Sequence, residues 1–356
     1  MDLQIDGNYG EGGGQILRTT LSLSCILKKP VKIINIRKGR KIPGLQPQHL
    51  TSVSACKKIS GAEVQGDSLQ SVTLIFSPQK TKGGDFTFDV AERKRSAGST
   101  SLVLQTLFLP LSRCENSSKI KVLGGTHVPW SPPFDYLKQI FVPMLKKIGC
   151  EIDLEIKKWG WYPKGGGEVL GTIQPTSRFS PLNLTERGKL CSLSGISVVS
   201  NLPNSIAERQ RDQAMKILKD KKISPEIKLL QAPSVGQGTF FFLKADFENS
   251  IAGFGALGER GKRAEKVTEE ACDDFLQFMQ SAGAIDPHLA DQLIPYLALA
   301  DGTSTFTVSK ITHHLLTNIW VVQQFLPTQI LVEGEQGEQG KVTILPSWTI
   351  PQTRVQ

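Results

Sequence analysis

One phrase recurs along the chain and limits what it can fold into. Lys57-Lys58-Ile59-Ser60-Gly61-Ala62-Glu63-Val64 is echoed by Lys146-Lys147-Ile148-Gly149-Cys150-Glu151-Ile152, and again by Lys221-Lys222-Ile223-Ser224-Pro225-Glu226-Ile227. Each copy closes a run of helical apolar periodicity, turns at Gly or Pro, and opens a strand. A repeat at a spacing of about 80 residues is too long for a solenoid and suits a compact α+β module. Residues 272–281 carry a helical pattern that is a candidate opening for a further copy. Such modules, packed side by side, would put their helices on one face of each sheet and leave a cleft between units.

With 356 residues, 39% of them hydrophobic, the chain can bury a large core and is expected to form two compact units. It holds no run of about 18 apolar residues, and the opening Met1-Asp2-Leu3-Gln4-Ile5-Asp6 lacks the basic-then-apolar pattern of a signal peptide. A cytoplasmic, membrane-free protein is the expectation. Six single cysteines without C-x-x-C spacing point to reduced core thiols and away from disulfides or a zinc site. The composition shifts after Pro181. Residues 205–219, 226–231 and 238–245 carry helix, strand and strand signals of their own, beside the charged tract at 258–263. The division expected is therefore a large unit of residues 1–183 and 284–345, a smaller inserted α/β unit at 184–283, and a loose tail at 346–356.

The charge is unevenly spread. Net charge is +9, yet between Gly12 and Ala62 there are ten Lys or Arg residues and no Asp or Glu. A stretch of this kind attracts polyanions, and nucleic acid is the commonest of them. It opens directly behind Gly10-Glu11-Gly12-Gly13-Gly14-Gln15-Ile16-Leu17-Arg18. A glycine run lets backbone N–H groups approach an anion without a Cβ in the way, and a following helix turns its positive end to the same place. Glu11 would repel a phosphate there unless a divalent cation lay between them. A tight turn beside a basic, solvated face reads the same residues without any ligand. The glycines of Lys164-Gly165-Gly166-Gly167-Glu168, with strand-like residues on both sides, read as a hairpin turn. Trp159, Trp161 and Tyr162 before it read as strand packing, with base stacking as the alternative.

There are five histidines, and two are adjacent in Ile311-Thr312-His313-His314-Leu315-Leu316-Thr317-Asn318-Ile319-Trp320. Leu315, Ile319, Val322 and Leu326 recur at helical spacing as a buried face. His314 and Asn318, one turn apart, lie at its edge, where a side chain can be held firmly and still reach a cleft. Neither a Cys/His metal cluster, nor a G-x-S-x-G elbow, nor a G-x-x-x-x-G-K-[ST] loop, nor a dinucleotide fingerprint is present. A conventional P-loop nucleotidase is therefore not expected.

Taken together the segments resemble the RNA 3'-terminal phosphate cyclases. The likeness is carried by residues 7–18, by Ile36-Arg37-Lys38-Gly39-Arg40 with Pro43-Gly44-Leu45 and Gln48-His49-Leu50, and by Ser96-Ala97-Gly98-Ser99-Thr100 with Leu102-Val103-Leu104-Gln105-Thr106. It continues through Gly124-Gly125-Thr126 with Pro132-Pro133, Tyr162-Pro163 with Gly165-Gly166-Gly167, Leu289-Ala290-Asp291-Gln292, and His314-Leu315-Leu316-Thr317-Asn318. It runs nearly the whole chain in order.

The resemblance implies an α+β fold in which repeated βαβαββ units form a large domain interrupted by a small α/β insert. It implies an ATP-dependent ligase acting with a divalent metal, Mg2+ or Mn2+, on an RNA with a 3'-phosphate end. The product would be a 2',3'-cyclic phosphate, with AMP and pyrophosphate released, through histidyl-AMP and RNA-adenylate intermediates. By position the nucleophile would be His314, with Arg18, Arg37 and Arg40 on the phosphates, Glu11 on the metal, and Gln48 and His49 beside the substrate phosphate. Nucleotide contacts carry over onto Gln105, Pro132, His288, Leu289, Ala290, Asp291 and Gln292; His288 stands where some relatives have Tyr. A neutral imidazole is a competent nucleophile near pH 7, and arginine's planar fork suits phosphate oxygens. Two other readings predict different behaviour. A non-catalytic cyclase-like factor of ribosome assembly would lack the nucleophilic histidine, whereas an enolpyruvyl transferase would form no covalent nucleotide and leave the His314 segment unexplained.

Overall fold

The structure is a computed structural model describing residues 3–92 and 97–346. Ser96 and the expected tail beyond Pro346 lie outside the described residues. The chain opens with β1 (Leu3–Asp6), α1 (Gly14–Leu27), β2 (Val31–Ile34), α2 (Pro47–Ser60), β3 (Glu63–Gln65) and β4 (Leu74–Ser77). They form a sheet of order β1-β2-β4-β3, parallel between β1 and β2 and antiparallel elsewhere. Next come β5 (Asp85–Asp89), α3 (Thr100–Ser112), β6 (Ser118–Gly124), α4 (Phe134–Tyr136) running through a π-helical turn into α5 (Val142–Lys147), β7 (Ile152–Lys158) and β8 (Gly167–Ile173). Their sheet, β5-β6-β8-β7, has the same order and the same mix of directions. The hairpin expected around Gly165 to Gly167 is the β7–β8 connection, where Gly165 and Gly166 both take positive φ.

A third sheet of that order closes late in the chain. β9 (Asn183–Leu184) pairs in parallel with β14 (Ser304–Val308), and β14 pairs antiparallel with β16 (Gly340–Leu345), which pairs with β15 (Gln329–Glu333). Between β9 and β14 the chain makes β10 (Leu190–Ser200), α6 (Asn204–Lys219), β11 (Glu226–Gln231), β12 (Gly238–Phe247), β13 (Ile251–Leu257), α7 (Ala264–Gln280) and α8 (Pro287–Leu297). Strands β10 to β13 form a fourth sheet of order β11-β10-β12-β13. α9 (His313–Phe325) links β14 to β15. The molecule is thus a mixed α/β protein built on four mixed sheets among the described residues.

Period-2 burial fixes how the fourth sheet sits. On β12, Phe241, Leu243 and Ala245 face a second hydrophobic cluster with α6 and α7, whereas Phe240 and Phe242 face the main cluster. On β13, Gly253 lets the π-helical turn come close: a Cβ there would lie 2.6 Å from Ile140. On α7 the buried Val267, Ala271, Phe275 and Phe278 follow the helical period that makes one apolar stripe. Helix α1 packs against α2, α3 and α9, and α8 packs against α9, so the helices of the first three sheets gather around α1.

Trp159 and Trp161 are 4% and 3% exposed. They stack around His127, whose ring also meets Phe240. The structure therefore places both indoles in packing, and only Tyr162 of that trio is open to solvent. All six cysteines are free, and only Cys191 is exposed. No helix among the described residues is long and apolar enough to cross a membrane. The indole N–H of Trp161 is buried without a partner. Trp161→Ala is expected to cost about 3–5 kcal/mol of unfolding free energy. Trp161→Phe should cost clearly less, because it also removes that unpaired donor; urea denaturation of both variants checks the order.

Candidate active site

The first turn of α1 is built by close approach. Gly10 and Gly12 have φ of 54° and 61°, which suit glycine, and Gly13 caps the helix with no side-chain hydrogen bond, leaving the N–H groups of its first turn to a ligand. A Cβ on Gly10 would lie 2.4 Å from Thr317 Oγ1 of α9, and one on Gly14 would lie 2.4 Å from His49 Nε2 and 2.8 Å from an Arg18 nitrogen. The missing Cβ atoms make room for side chains as much as for any anion. α9 begins where Thr312 accepts a hydrogen bond from the Leu315 N–H (3.0 Å), which puts His314 in its first turn, facing Glu11. Of its expected apolar face, Leu315, Ile319 and Val322 are buried and Phe325 completes the set, while Leu326 stands past the helix end.

Around His314 the side chains form one chain of contacts. Asp291 Oδ2 accepts from the Gln15 Nε2 at 2.6 Å, and Gln15 Oε1 accepts from His314 Nδ1 at 2.8 Å. A carboxylate oxygen can only accept, so the Gln15 amide is oriented, its oxygen requires Nδ1–H, and the other ring nitrogen is left as the reactive one. Asn318 donates to the Asp291 carbonyl and accepts from the Thr19 hydroxyl, both at 2.6 Å, fixing α8, α9 and α1 to one another. His314 Nε2 stands 2.7 Å from Glu11 Oε2, while Arg40 reaches Glu11 Oε1 at 2.5 Å and its carbonyl at 3.0 Å. His314, ahead of Arg40, holds the Glu11 carboxyl down at about 2 against its burial. Glu11 in turn raises the His314 pKa above the usual 6.5. Even so, no aligned hydrogen bond reaches the buried Oε2 of Glu11.

The other expected residues divide by what they touch. Arg18 lies in the cleft and no hydrogen bond or ion pair among the described residues occupies its guanidinium; burial brings its pKa down to about 10, with Asp291 and Glu11 opposing, so it keeps its charge at neutral pH. Burial, reinforced by Arg18 and Arg37, pushes His49 down to about 3. Its Nδ1 accepts from the Gln46 N–H at 3.1 Å, so this neutral ring carries its proton on Nε2, toward Gly14. Arg37 is partly committed elsewhere: Nη1 donates to the carbonyls of Ile42 and Gly44, shaping the loop that carries Arg40. Gln48 accepts from the Ser99 N–H. Gln105 donates to Gln292, which donates to the His288 carbonyl, each at 2.7 Å, while Asp286 caps α8. Burial raises Asp291 to about 6.

Glu11, Arg18, Arg37, Arg40, Gln48, His49, Gln105, Pro132, His288, Asp291, Gln292 and His314 all line one cleft of about 1280 Å3. Leu289 and Ala290 do not; both are fully buried in the core, and their side chains anchor α8. The basic stretch also separates. Its three arginines line the cleft and its seven lysines do not, with Lys57 and Lys58 in the last turn of α2, where positive charge favours the helix. Sequence reasoning quoted Gln15 and Thr317 but gave neither a role; the Thr317 hydroxyl accepts from the Glu11 N–H at 3.3 Å. The signal was there: Gln15, Arg18, Thr19 and Ser22 make a polar stripe along a helix rich in buried apolar residues.

Regarding a divalent cation, a buried carboxylate oxygen short of a donor is what such an ion takes up, so Glu11 fits. Among the described residues no group of three or more His, Cys, Asp or Glu could enclose one, so phosphate and water oxygens would complete its shell.

The two shifts have opposite consequences for stability. Glu11, lowered, contributes stability that is complete above its unfolded value of 4.5 and lost as pH falls toward 2; His314, raised, contributes stability that is complete below 6.5 and lost as pH rises through its folded value. Glu11→Gln should therefore destabilise the protein most between those two unfolded values and bring the His314 pKa back down. A thermal-unfolding series across pH and an NMR titration of the His314 ring check both.

The chain was also compared with known proteins. A model of the RNA 3'-terminal phosphate cyclase family matches residues 9–332. Proteins named RNA 3'-terminal phosphate cyclase share 40% identity in Nostoc punctiforme, over 98% of this chain and 99% of that one, and 42% in Pyrococcus furiosus, over 96% and 98%. In Methylococcus capsulatus the figure is 44%, over 91% of each. Among solved structures, an EPSP synthase from Acinetobacter baumannii aligns over 97% of this chain and 65% of that one, at 12% identity and a TM-score of 0.34, too slight a likeness to bear on this chain. Matched over nearly its full length, the chain belongs to the RNA 3'-terminal phosphate cyclase family.

Proposed function

We propose that this protein is an ATP-dependent RNA 3'-terminal phosphate cyclase with His314 as its nucleophile. The observation that carries the reading is the Asp291–Gln15–His314 relay, which fixes the proton on Nδ1 and directs the other nitrogen into a cleft with an unpaired arginine. Nε2 of His314 attacks the α-phosphorus of ATP, the N–P bond forms as the bond to the pyrophosphate oxygen breaks, and pyrophosphate leaves. An oxygen of the RNA 3'-phosphate then displaces the histidine to give the adenylated end. Attack by the adjacent 2'-hydroxyl on the 3'-phosphorus, with loss of its proton, expels AMP and closes the ring.

Each step gathers charge on phosphate oxygens, and fixed donors act most strongly there. Arg18 supplies an unpaired guanidinium, His49 a pH-independent N–H, and the first turn of α1 its backbone N–H groups. Gln105, Gln292, Pro132 and His288 gather where α3 and α8 meet the cleft, which supports their service to adenine and ribose. Gln48 and Arg37 stand by the phosphates as supports of that corner. Glu11 would hold a magnesium or manganese ion, which when bound would offset charge on phosphate. Glu11 also favours the proton on Nε2, so the nucleophile is released when that proton is lost.

The fold is read in the same terms. Three sheets of one strand order, each with two crossover helices, support a large domain of repeated βαβαββ units, at 1–183 and 284–345, with residues 184–283 inserted in the third. The separate hydrophobic cluster confined to residues between Leu193 and Phe278 supports the insert.

Incubation with ATP labelled at the α-phosphate should leave an acid-labile adenylate on the wild type and none on His314→Ala; an unlabelled wild type, or label persisting on the variant, would refute the mechanism. The labelling rate should rise with pH through the raised His314 pKa, since only the ring with a free Nε2 attacks. Gln15→Ala, by releasing the tautomer, is expected to slow labelling by about 10- to 100-fold, the scale of lost orienting partners. Rates equal to wild type would remove Gln15 from that role.

A further inference from the structure

The turn that brings Pro132 to the cleft also carries a side chain that the reaction above does not use. Trp130 is 98% exposed, and its φ of 63° is left-handed, a strained conformation for a bulky L-residue. Yet the turn is firm. Pro129, Pro132 and Pro133 restrict its dihedrals. Ser131 Oγ donates to the Val128 carbonyl at 3.0 Å, and the Phe134 N–H closes onto the Thr126 carbonyl at 3.1 Å. Val128 and Phe134 are anchored in the core at 5% and 2% exposure. A whole indole is thus held out in water, at the edge of the cleft, on a rigid and strained support. The indoles at 159 and 161, by contrast, are buried, as an apolar ring of that size usually is.

The cleft has room for more than a nucleotide. Small-molecule sites occupy about 300–1,000 Å3, whereas this cleft holds about 1280 Å3. Its recognised polar groups come from α1, α2, α3, α8 and α9 and from the loops that carry Glu11, Arg37 and Arg40, whereas Trp130 projects into solvent at its edge. A mononucleotide's base is normally enclosed on most sides, but a ring so exposed offers one free face and no opposing wall. That geometry suits a base in a strand that continues into solvent, since stacking on an aromatic side chain is tolerant of sequence and needs no pocket.

We infer that Trp130 is a stacking platform for an unpaired nucleobase close to the 3' end of the RNA strand, holding the strand at the mouth while its terminal phosphate enters toward Arg18 and His49. The inference rests on the reading of this cleft as a site for RNA ends, and it adds a contact outside the nucleotide-binding groups.

Direct binding tests it without turnover. A 5'-labelled single-stranded oligoribonucleotide with a 3'-phosphate is titrated by fluorescence anisotropy, without ATP, against the wild type, Trp130→Ala and Trp130→Phe. Trp130→Ala should weaken binding about 5- to 30-fold, the equivalent of about 1–2 kcal/mol for one stacked base, and Trp130→Phe should recover most of it. Abasic residues placed in turn at the last three positions should reveal one that weakens the wild type comparably and Trp130→Ala no further. Labelling of His314 by ATP alone should be retained in Trp130→Ala. Equal RNA affinity of wild type and Trp130→Ala would overturn the inference, and so would a loss confined to ATP binding, which would make adenine the occupant. Because RNA binding is read without ATP, a wild type that binds as described yet forms no histidyl-AMP would count against the proposed reaction and for the stacking platform.

Discussion

The constraint on which the site depends is the contact of the α1 N-terminus with its neighbours on both sides. Thr317 of α9 presses on Gly10, and His49 of α2 with Arg18 presses on Gly14, each closer than a Cβ could tolerate. Everything at the site follows from that. With α9 against the turn, Glu11 meets His314; with α2 against the helix start, His49 meets Arg18. Larger side chains at either glycine would part these pairs before they altered any sheet. Tyr9, stacked on Trp320 at 3.9 Å, reinforces the same contact from outside.

Charges in the cleft are arranged by unequal burial. Glu11 is pinned as a carboxylate, His49 is pinned neutral, and Arg18 stays cationic despite burial. His314, raised above its usual value, and Asp291, raised to about 6, are joined through one amide. Fixed charges thus stand beside a nucleophile and a partner whose proton affinities are both raised. Gln15 suits the link because an amide passes hydrogen-bond polarity along without itself ionising.

Much of this was legible in the chain. Strand Glu226–Gln231 and the helix from Asn204 to Lys219 stand where periodicity put them, and each Lys-Lys-Ile phrase does sit where a helix gives way to a strand. Glu11 and His314 were both singled out, although 303 positions apart, because each is chemically out of place locally: an acid in a basic stretch, an imidazole at the edge of an apolar face. What escaped is what only folding decides. Whether Gln15 faces solvent or Asp291, whether Arg37 reaches a phosphate or its own loop carbonyls, and whether the lysines of 12–62 join the arginines all depend on contacts between distant segments. Trp159 and Trp161 could not be told from stacking residues until Phe240 was seen to cover their neighbour His127.

The alternation along β12 has a mechanical meaning. Because Phe240 and Phe242 belong to one hydrophobic cluster and Phe241 and Leu243 to the other, this strand is a party wall: neither side can move off without uncovering aromatic surface on its own face. Phe242, Phe254 and Gly255 of that sheet also line the cleft, so one wall of the cleft is anchored in both cores. The molecule behaves there like a vice already set to its gap. A ligand that displaced this wall would have to uncover aromatic surface in both cores at once.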